Sequence, residues 1–443
     1  MKTLILLALA VPLAAQEPLA LKDAVKLALE KHPSITASQS GVQAAGARIA
    51  EARGGYLPKV SYAESFLRSD NPVVVFSSLL TQHQFKMENF ALGPLNRPDA
   101  LNNFQSQVTV DEVVYDAGQT RNGIRSAELG RNISAEDERR VRMNAVASVA
   151  RAYDGAVLAE AAVKVAAEAV RSAEADLSRA ESVRAAGMAT DADVLSIRVH
   201  LAAASEQQIT RAADLEVAFA ALNEALGLPL SQPHTLTTPL TAAPQLRDGL
   251  EESEKDASGS RPELRQARLA ANLAETQVAA SRSAFLPQVF FHGGFEADRQ
   301  RVFSRGGASW LVSGSLRWNL FNGGADKARS EEAAYGLQRA RALAATADGQ
   351  VRLQVRQAWA NLRAATQRID VAEAAVSMAE ESLRITKNRY DAGLSNVTDL
   401  LRTETALLEA RNRRLAAIYD QRMAAVGLAL ATGSLTENSE VLN

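Results

Sequence analysis

Asp193 and Asp399 hold the same place in two copies of one phrase, RAAGMATDADVL (184–195) and YDAGLSNVTDLL (390–401), 206 positions apart. In each copy a glycine, Gly187 or Gly393, suits the left-handed conformation just past a helix end. Met188 and Leu394 follow the glycines. Thr190 or Asn396 then offers a side-chain oxygen to a new helix, and the aspartate falls three residues later in its positive first turn. The chemistry available is capping and fixed charge. No nucleophile or base accompanies it.

Reactive groups are scarce elsewhere too. The chain has no Cys, which excludes disulfides, thiolate metal sites and a cysteine nucleophile. The five histidines, His32, His83, His200, His234 and His292, are scattered without metal-ligand spacing and read as solvated or packed. Gly306-Gly307 and Gly323-Gly324 flank strand patterns, where turn chemistry accounts for them without a phosphate. A net charge of −2, both signs interspersed, leaves no basic footprint for nucleic acid. Neither catalysis nor a metal or cofactor is expected.

The elements that position the two phrases follow from periodicity. Residues 1–15, MKTLILLALAVPLAA, read as an export signal cleaved after Ala15. No later stretch approaches the roughly 20 apolar residues of a membrane helix. Pro33 to Pro58 and Pro262 to Pro287 frame equivalent helical stretches. Asp116-Ala117-Gly118 then aligns with Asn322-Gly323-Gly324, and Leu226-Gly227 with Thr432-Gly433. The reading is one unit written twice, over 16–227 and 261–433. A linker over 228–260 joins the copies, and a polar tail over 434–443 ends the chain. The extra residues of the first copy fall in a long loop, 71–103.

Within 287–321 the pattern alternates. Trp310, Val312, Gly314, Leu316, Trp318 and Leu320 share one face, and Val289, Phe291, Gly293 and Phe295 supply a matching one. Period two predicts a strand hairpin. The two tryptophans lie about 20 Å apart vertically at ~40° tilt, close to the aromatic girdles bounding the ~25 Å apolar band of an outer-membrane barrel. A sheet packed on a soluble core accounts for the alternation equally. In the first copy, strands are expected within 58–115, but Glu64 and Glu112 interrupt their apolar faces and leave the register open.

Residues 119–186 and 325–392 read as helices of ~100 Å at 1.5 Å per residue. They open helical hairpins over 119–227 and 325–432. Val149, Ala152, Ala156, Ala159, Val163, Ala166, Val170, Ala173, Leu177 and Ala180 step by three and four. Val355, Ala358, Leu362, Ala365, Ile369, Ala372, Val376, Ala379 and Leu383 repeat that seam. It predicts a left-handed supercoil; two ordinary antiparallel coiled-coil hairpins would share it.

The opening LALKDAVKLALEKHPSI (19–35), the YLP and FLP junctions (56–58, 285–287), the YDAG and FNGG junctions (115–118, 321–324) and both tips come in a specific order and spacing. Together they resemble the TolC-like outer-membrane efflux protein family over nearly the whole chain. The resemblance implies a mainly α protein with β structure. A long coiled-coil barrel continues into a twelve-stranded transmembrane β-barrel, to which each protomer of a homotrimer gives four strands. It implies an exit duct in the bacterial outer membrane with a large periplasmic extension, docked by a periplasmic adaptor and an inner-membrane pump. Phe291, Phe295, Trp310, Val312, Leu316 and Trp318 would then face lipid. Gly187, Met188, Thr190, Gly393, Leu394 and Asn396 would form the tip turns that meet the adaptor.

By the same resemblance Asp399 falls on an acidic ring that constricts the periplasmic entrance, and Asp193 and Tyr390 on the pair linking inner and outer tip helices. The chain departs from that pattern at Arg402, where a second acidic ring would be, and at Ser395, where a gate-locking arginine would be. Arg402 stands three residues after Asp399 and could neutralise it. The competing reading is a soluble periplasmic coiled-coil adaptor or scaffold, with a secreted hydrolase third. Drug, metal or protein cargo would all suit such a duct.

Overall fold

The computed structural model describes residues 17–187, 189–244 and 249–443. The signal segment 1–15 and Met188 lie outside the described residues. The chain divides into two units. One holds residues up to Gly41, Ala135–Gln266 and Ala344–Asn443; the other holds Val42–Ser134 and Ala267–Leu343.

Both copies build the same elements. Helices α1 (Leu21–Lys31) and α2 (Pro33–Arg53) precede strand β2 (Lys59–Ser69) and strand β3 (Leu101–Tyr115). The long hairpin α5 (Gln119–Ala185) and α6 (Asp191–Leu226) follows. In the second copy α7 (Leu250–Ser260) and α8 (Pro262–Ser283) lead to β5 (Gln288–Arg299) and β6 (Gly307–Arg317), then to α9 (Ala325–Asp391) and α10 (Val397–Thr432). Helices α5 and α9 each run 67 residues without proline, and α6 and α10 each run 36. Gly227 and Gly433 end the shorter pair in the left-handed conformation at φ 71° and 77°.

The first unit packs along the expected seams. Val149, Ala156, Ala173 and Ala180 are fully buried, and Val355, Leu362 and Ala365 nearly so. At one level α1 lays Leu21, Val25 and Leu29 against Val149 and Tyr153 of α5 and Leu222 and Leu226 of α6. Each large apolar side chain buried this way contributes about 1.5–3 kcal/mol. The Tyr153 hydroxyl donates to the Leu19 carbonyl at 2.7 Å and accepts from the Thr237 and Thr238 amides at 3.1 and 2.9 Å. It thereby ties down the short parallel pair of β1 (Glu17–Leu19) and β4 (His234–Leu236).

Three boundaries differ from the sequence reading. The 228–260 linker contains β4 and the helix α7, whose Glu251 and Glu252 occupy a favourable first turn and whose Ala257 is buried. The tail after Gly433 is not merely polar, because Leu435 and Leu442 are buried to about 1% exposure. The hairpin expected to reach Phe321 stops at Arg317. There the Trp318 indole turns to donate to the Phe285 carbonyl at 3.1 Å, and the chain leaves the sheet for the Gly323-Gly324 turn.

In the second unit β2, β3, β5 and β6 form one antiparallel sheet in that order. The 71–103 segment folds into α3 (Pro72–Thr81) and α4 (Leu92–Asn96), with Asn71 capping α3 through the Val73 and Val74 amides. Buried Gln82 then bonds to the Asn103 side chain, which reaches Asp298, so the segment is anchored to the sheet. A Cβ at Gly307 would stand 1.9 Å from the Thr81 carbonyl oxygen. Close approach requires that glycine. Turn chemistry does not, since its φ is not positive.

Candidate functional site

Each tip is assembled from its own backbone outward. After α5, Gly187 turns at φ 75° and its amide reaches the Arg184 carbonyl. Thr190 caps α6 by accepting from the Asp193 amide at 3.2 Å. Asp193 Oδ2 returns to the Thr190 amide at 3.0 Å and to its hydroxyl at 2.7 Å. Both orphan amides are met reciprocally. After α9, Gly393 turns at φ 72°, the Leu394 amide reaches back to the Arg389 carbonyl at 2.8 Å, and Asn396 accepts from the Asp399 amide at 2.8 Å.

The copies diverge at the aspartates. Asp193 is half-buried and committed to its cap, whereas Asp399 is exposed and, among the described residues, its carboxylate receives the Ser395 hydroxyl alone, at 3.2 Å. Arg402 is also exposed, and among the described residues no ion pair joins it to Asp399. In this structure the Asp399 carboxylate takes the Ser395 hydroxyl rather than the Arg402 guanidinium.

The tips are bound to each other. Ala180, Val194, Ile197 and Val397 make a small buried core onto which Leu177, Tyr390 and Leu401 pack. Arg179 spans from α5 to Asp391 of α9 at 2.7 and 3.0 Å, and Arg198 of α6 reaches Glu181 of α5. Burial raises the Tyr390 phenol above its usual pKa, helped by the charges of Asp193, Asp176 and Asp391. Tyr390 and Asp193 are therefore electrostatic neighbours, but Asp193 directs its bonds to Thr190.

One cluster was missed in the sequence. Asp176 (α5), His200 (α6), Lys387 (α9) and Glu404 (α10) meet where the four long helices pack, with Asp176 and Glu404 buried to 3% and 9% exposure. The signal was legible. Glu404 interrupts the apolar stripe Val397, Leu400, Leu407, Ala410, and His200 does the same between Ile197 and Ala204.

In the sheet, register joins the apolar faces of all four strands. Tyr62, Val108, Phe295 and Trp310 are mutual neighbours in one row, and Val60, Val110, Gly293 and Val312 in the next. Phe291 and Leu316 extend the face, Trp318 lies just beyond it, and Phe291's ring covers Gly293. Trp310 is 78% exposed, Val312 58% and Leu316 66%. Among the described residues nothing covers this face, so the sheet does not pack on a soluble core. Glu64 lies on the same face but is held by Arg299 at 2.8 Å, by Tyr62 and by Ser106, while Glu112 sits nearer the strand base. The other face is polar, with Ser61–Thr109 and His292–Asp111 contacts at 2.6 and 2.7 Å.

Comparison with known proteins places these features. The sequence profile of the outer membrane efflux protein family matches residues 24–228 and 255–434. The chain is 27% identical to Protein CyaE of Bordetella pertussis, over 95% of this chain and 85% of that protein. It is 25% identical to the alkaline protease secretion protein AprF of Pseudomonas aeruginosa, over 95% and 85%. Its fold resembles the CmeC outer membrane channel of Campylobacter jejuni, with a TM-score of 0.80 at 17% identity over 95% of this chain and 87% of that one. It also resembles the open MtrE outer membrane channel of Neisseria gonorrhoeae, with a TM-score of 0.77 at 20% identity over 94% and 90%. Both long hairpins and all four strands of the sheet fall inside the matched segments, and the chain belongs to the outer membrane efflux protein family.

Proposed function

We propose that three copies of this chain close into one pipe, with the sheets forming a twelve-stranded barrel in the outer membrane and the helices a periplasmic tunnel gated at the tips. One observation carries this reading. The four-stranded sheet has an uncovered apolar face and two unpaired edges, β2 and β6. Unpaired backbone groups cost several kcal/mol each in hydrocarbon, so an open four-stranded sheet does not persist in a membrane. Successive strands alternate in direction, so β6 of one copy runs antiparallel to β2 of the next and the ring can close. The polar face then lines the lumen. A soluble adaptor has no use for such a face.

At the tips, Asp399 presents an exposed carboxylate to the entrance, and Arg402 one turn on presents a cation that does not cancel it. Three such pairs around an aperture make a ring of mixed charge, with less cation preference than two acidic rings. Met188, Leu394 and the turns beside them meet the adaptor. The tips open when an adaptor and an inner-membrane pump dock, and the pump sets the cargo. The secretion role in AprF's name favours a protein cargo among the alternatives.

Detergent extraction followed by native mass spectrometry and planar-bilayer recording tests this. The expected result is three copies per particle and a conductance that rises when the Arg179–Asp391 link is removed by R179A. A water-soluble monomer, or no conductance in either form, overturns it.

A further inference from the structure

The cluster beneath the tips has a feature that ordinary ion pairing does not account for. Asp176 Oδ1 takes the Lys387 ammonium at 2.9 Å, joining α5 to α9. Glu404 Oε1 takes the Ser172 hydroxyl at 3.1 Å, joining α10 to α5, and His200 of α6 stands 3.4 Å from Glu404 Oε2. The remaining buried oxygens, Asp176 Oδ2 and Glu404 Oε2, have no well-formed hydrogen bond from any donor in the structure. The two carboxyl groups, one on α5 and one on α10, instead act on each other, each shifting the other's titration. Two buried carboxylates with no donor between them are strongly unfavourable, and one proton placed between them satisfies both.

From this geometry we infer that Asp176 and Glu404 form a shared-proton latch, which fastens all four long helices together when it holds one proton and loosens them when that proton leaves. A cavity of about 230 Å³, lined by His200, Ser172, Glu404 and Gln207, reaches the Glu404 side of the pair. The other charges around it are already engaged. Arg411 of α10 binds Glu168 of α5 and Glu380 of α9 at 3.2 and 3.0 Å, and Arg179 binds Asp391. Lys387 is thus the cation that balances the pair, with His200 beside it and the Tyr390 phenol one turn from Lys387.

The sign follows from the two groups. Burial first, and then the Glu404 carboxylate, raise Asp176 from 3.8 to about 6. Burial acts to raise Glu404 as well, but hydrogen bonds from His200, Asp176 and Ser172 outweigh it and lower it from 4.5 to about 2. Asp176 therefore stabilises the packed helices fully below its ordinary value, and that contribution is lost as pH rises through about 6. Glu404 stabilises them above 4.5 and loses that contribution only as pH falls through about 2. Between these limits Glu404⁻ and Lys387⁺ cancel around a neutral Asp176. Above about 6 the pocket gains an uncompensated negative charge, and the packing beneath the tips weakens.

The consequence for the gate rests on the channel reading above, but the latch itself does not. Hydrogen exchange by mass spectrometry on the full-length protein in detergent, corrected for intrinsic rates, reads the latch directly. Local opening over 168–180 and 398–410 is expected to rise on the order of tenfold from pH 5 to pH 7.5. Asp176→Asn keeps a donor toward Glu404 without titrating, and should stay protected at both pH values. Glu404→Gln removes the sharing partner but leaves Asp176 buried and titratable, so it should weaken the pH dependence without abolishing it. A pH-independent parent protein overturns the inference, as does a variant that keeps the parent's profile. If exchange responds to pH and bilayer conductance does not, the latch stands and the tips are not the gate.

Discussion

The two copies of the repeat share their element boundaries to the residue in the long hairpins, yet equivalent positions do different work. Tyr153 and Trp359 are equivalent, but the tyrosine hydroxyl makes three hydrogen bonds while the Trp359 Nε1 is buried without a partner. Asp154 is fully buried against Arg422, where the copies carry exposed Ala360 and exposed Glu216 instead. At the tips Asp193 is committed to its cap and Asp399 is nearly free. Duplication supplied the frame. The polar contacts that fasten the chain's beginning and end to the rods, and the exposed charge at the tips, differ from copy to copy.

The largest effect should come from the buried pair. Arg422 Nε meets Asp154 Oδ2 at 2.8 Å with both side chains 1% exposed, and Arg422 also donates to the Thr241 and Asn443 carbonyls. Asp154 Oδ1 and Arg422 Nη2 remain unpartnered, and burial raises the Asp154 carboxyl despite the arginine's pull. Desolvation thus outweighs the pair's attraction. Arg422→Ala leaves an uncompensated buried charge and should cost about 3–5 kcal/mol. Glu216→Ala, its counterpart, should fall within about 0.5 kcal/mol. Replacing both partners, Asp154→Leu with Arg422→Met, should recover most of the loss or exceed the parent. Denaturant unfolding of the purified protein measures all three, and a double variant no better than Arg422→Ala would break the argument.

Next comes the tyrosine–tryptophan contrast. Tyr153→Phe removes one hydroxyl and leaves the Thr238 amide without its acceptor, while the Thr237 amide keeps the Leu19 carbonyl at 3.1 Å, for about 1–3 kcal/mol. Trp359→Phe removes a buried donor that has no acceptor, so it should stay within about 1 kcal/mol. Amide exchange at β1 and at 237–238 should rise in the first variant and not in the second. Equal losses would mean that both positions act by packing alone.

Much of this was legible in the chain, and the reasons differ by element. The long helices and their seams were, because a three–four period sustained from Val149 to Ala180, and again from Val355 to Leu383, admits no other element. The tips were, because Gly187 and Gly393 with Thr190 and Asn396 are local signals that need no tertiary context. The second hairpin's face was readable from strict alternation, but its end was not. Trp318 continues the pattern after its indole has turned to Phe285. The first hairpin's register needed its partners, since Glu64 looks misplaced until Arg299 from a distant strand meets it. Helix α7 was obscured by the Pro- and Gly-rich residues before it. Glu404 and His200 each stand out as a break in an apolar stripe, but that they meet Asp176 and Lys387, one residue from each of four helices, only the fold shows.

The smallest effects, at the tips, separate structure from function most cleanly. Thr190→Ala and Asn396→Ala each lose a helix cap and should each cost about 1 kcal/mol, so capping alone does not distinguish the copies. The aspartates do. Asp193→Ala removes an acceptor of the Thr190 amide and hydroxyl and should cost about 1 kcal/mol, while leaving ion preference little changed. Asp399→Ala loses a single exposed contact from Ser395 and should cost only a few tenths of a kcal/mol. If the tips line the entrance as proposed, it would nevertheless remove an exposed carboxylate beside Arg402 there, shifting the reversal potential of the channel in a salt gradient toward anions. Arg402→Ala should shift it the other way. If Asp193→Ala moves the reversal potential and Asp399→Ala does not, the assignment of the capping and free carboxylates to the two copies is inverted, and the first tip lines the aperture.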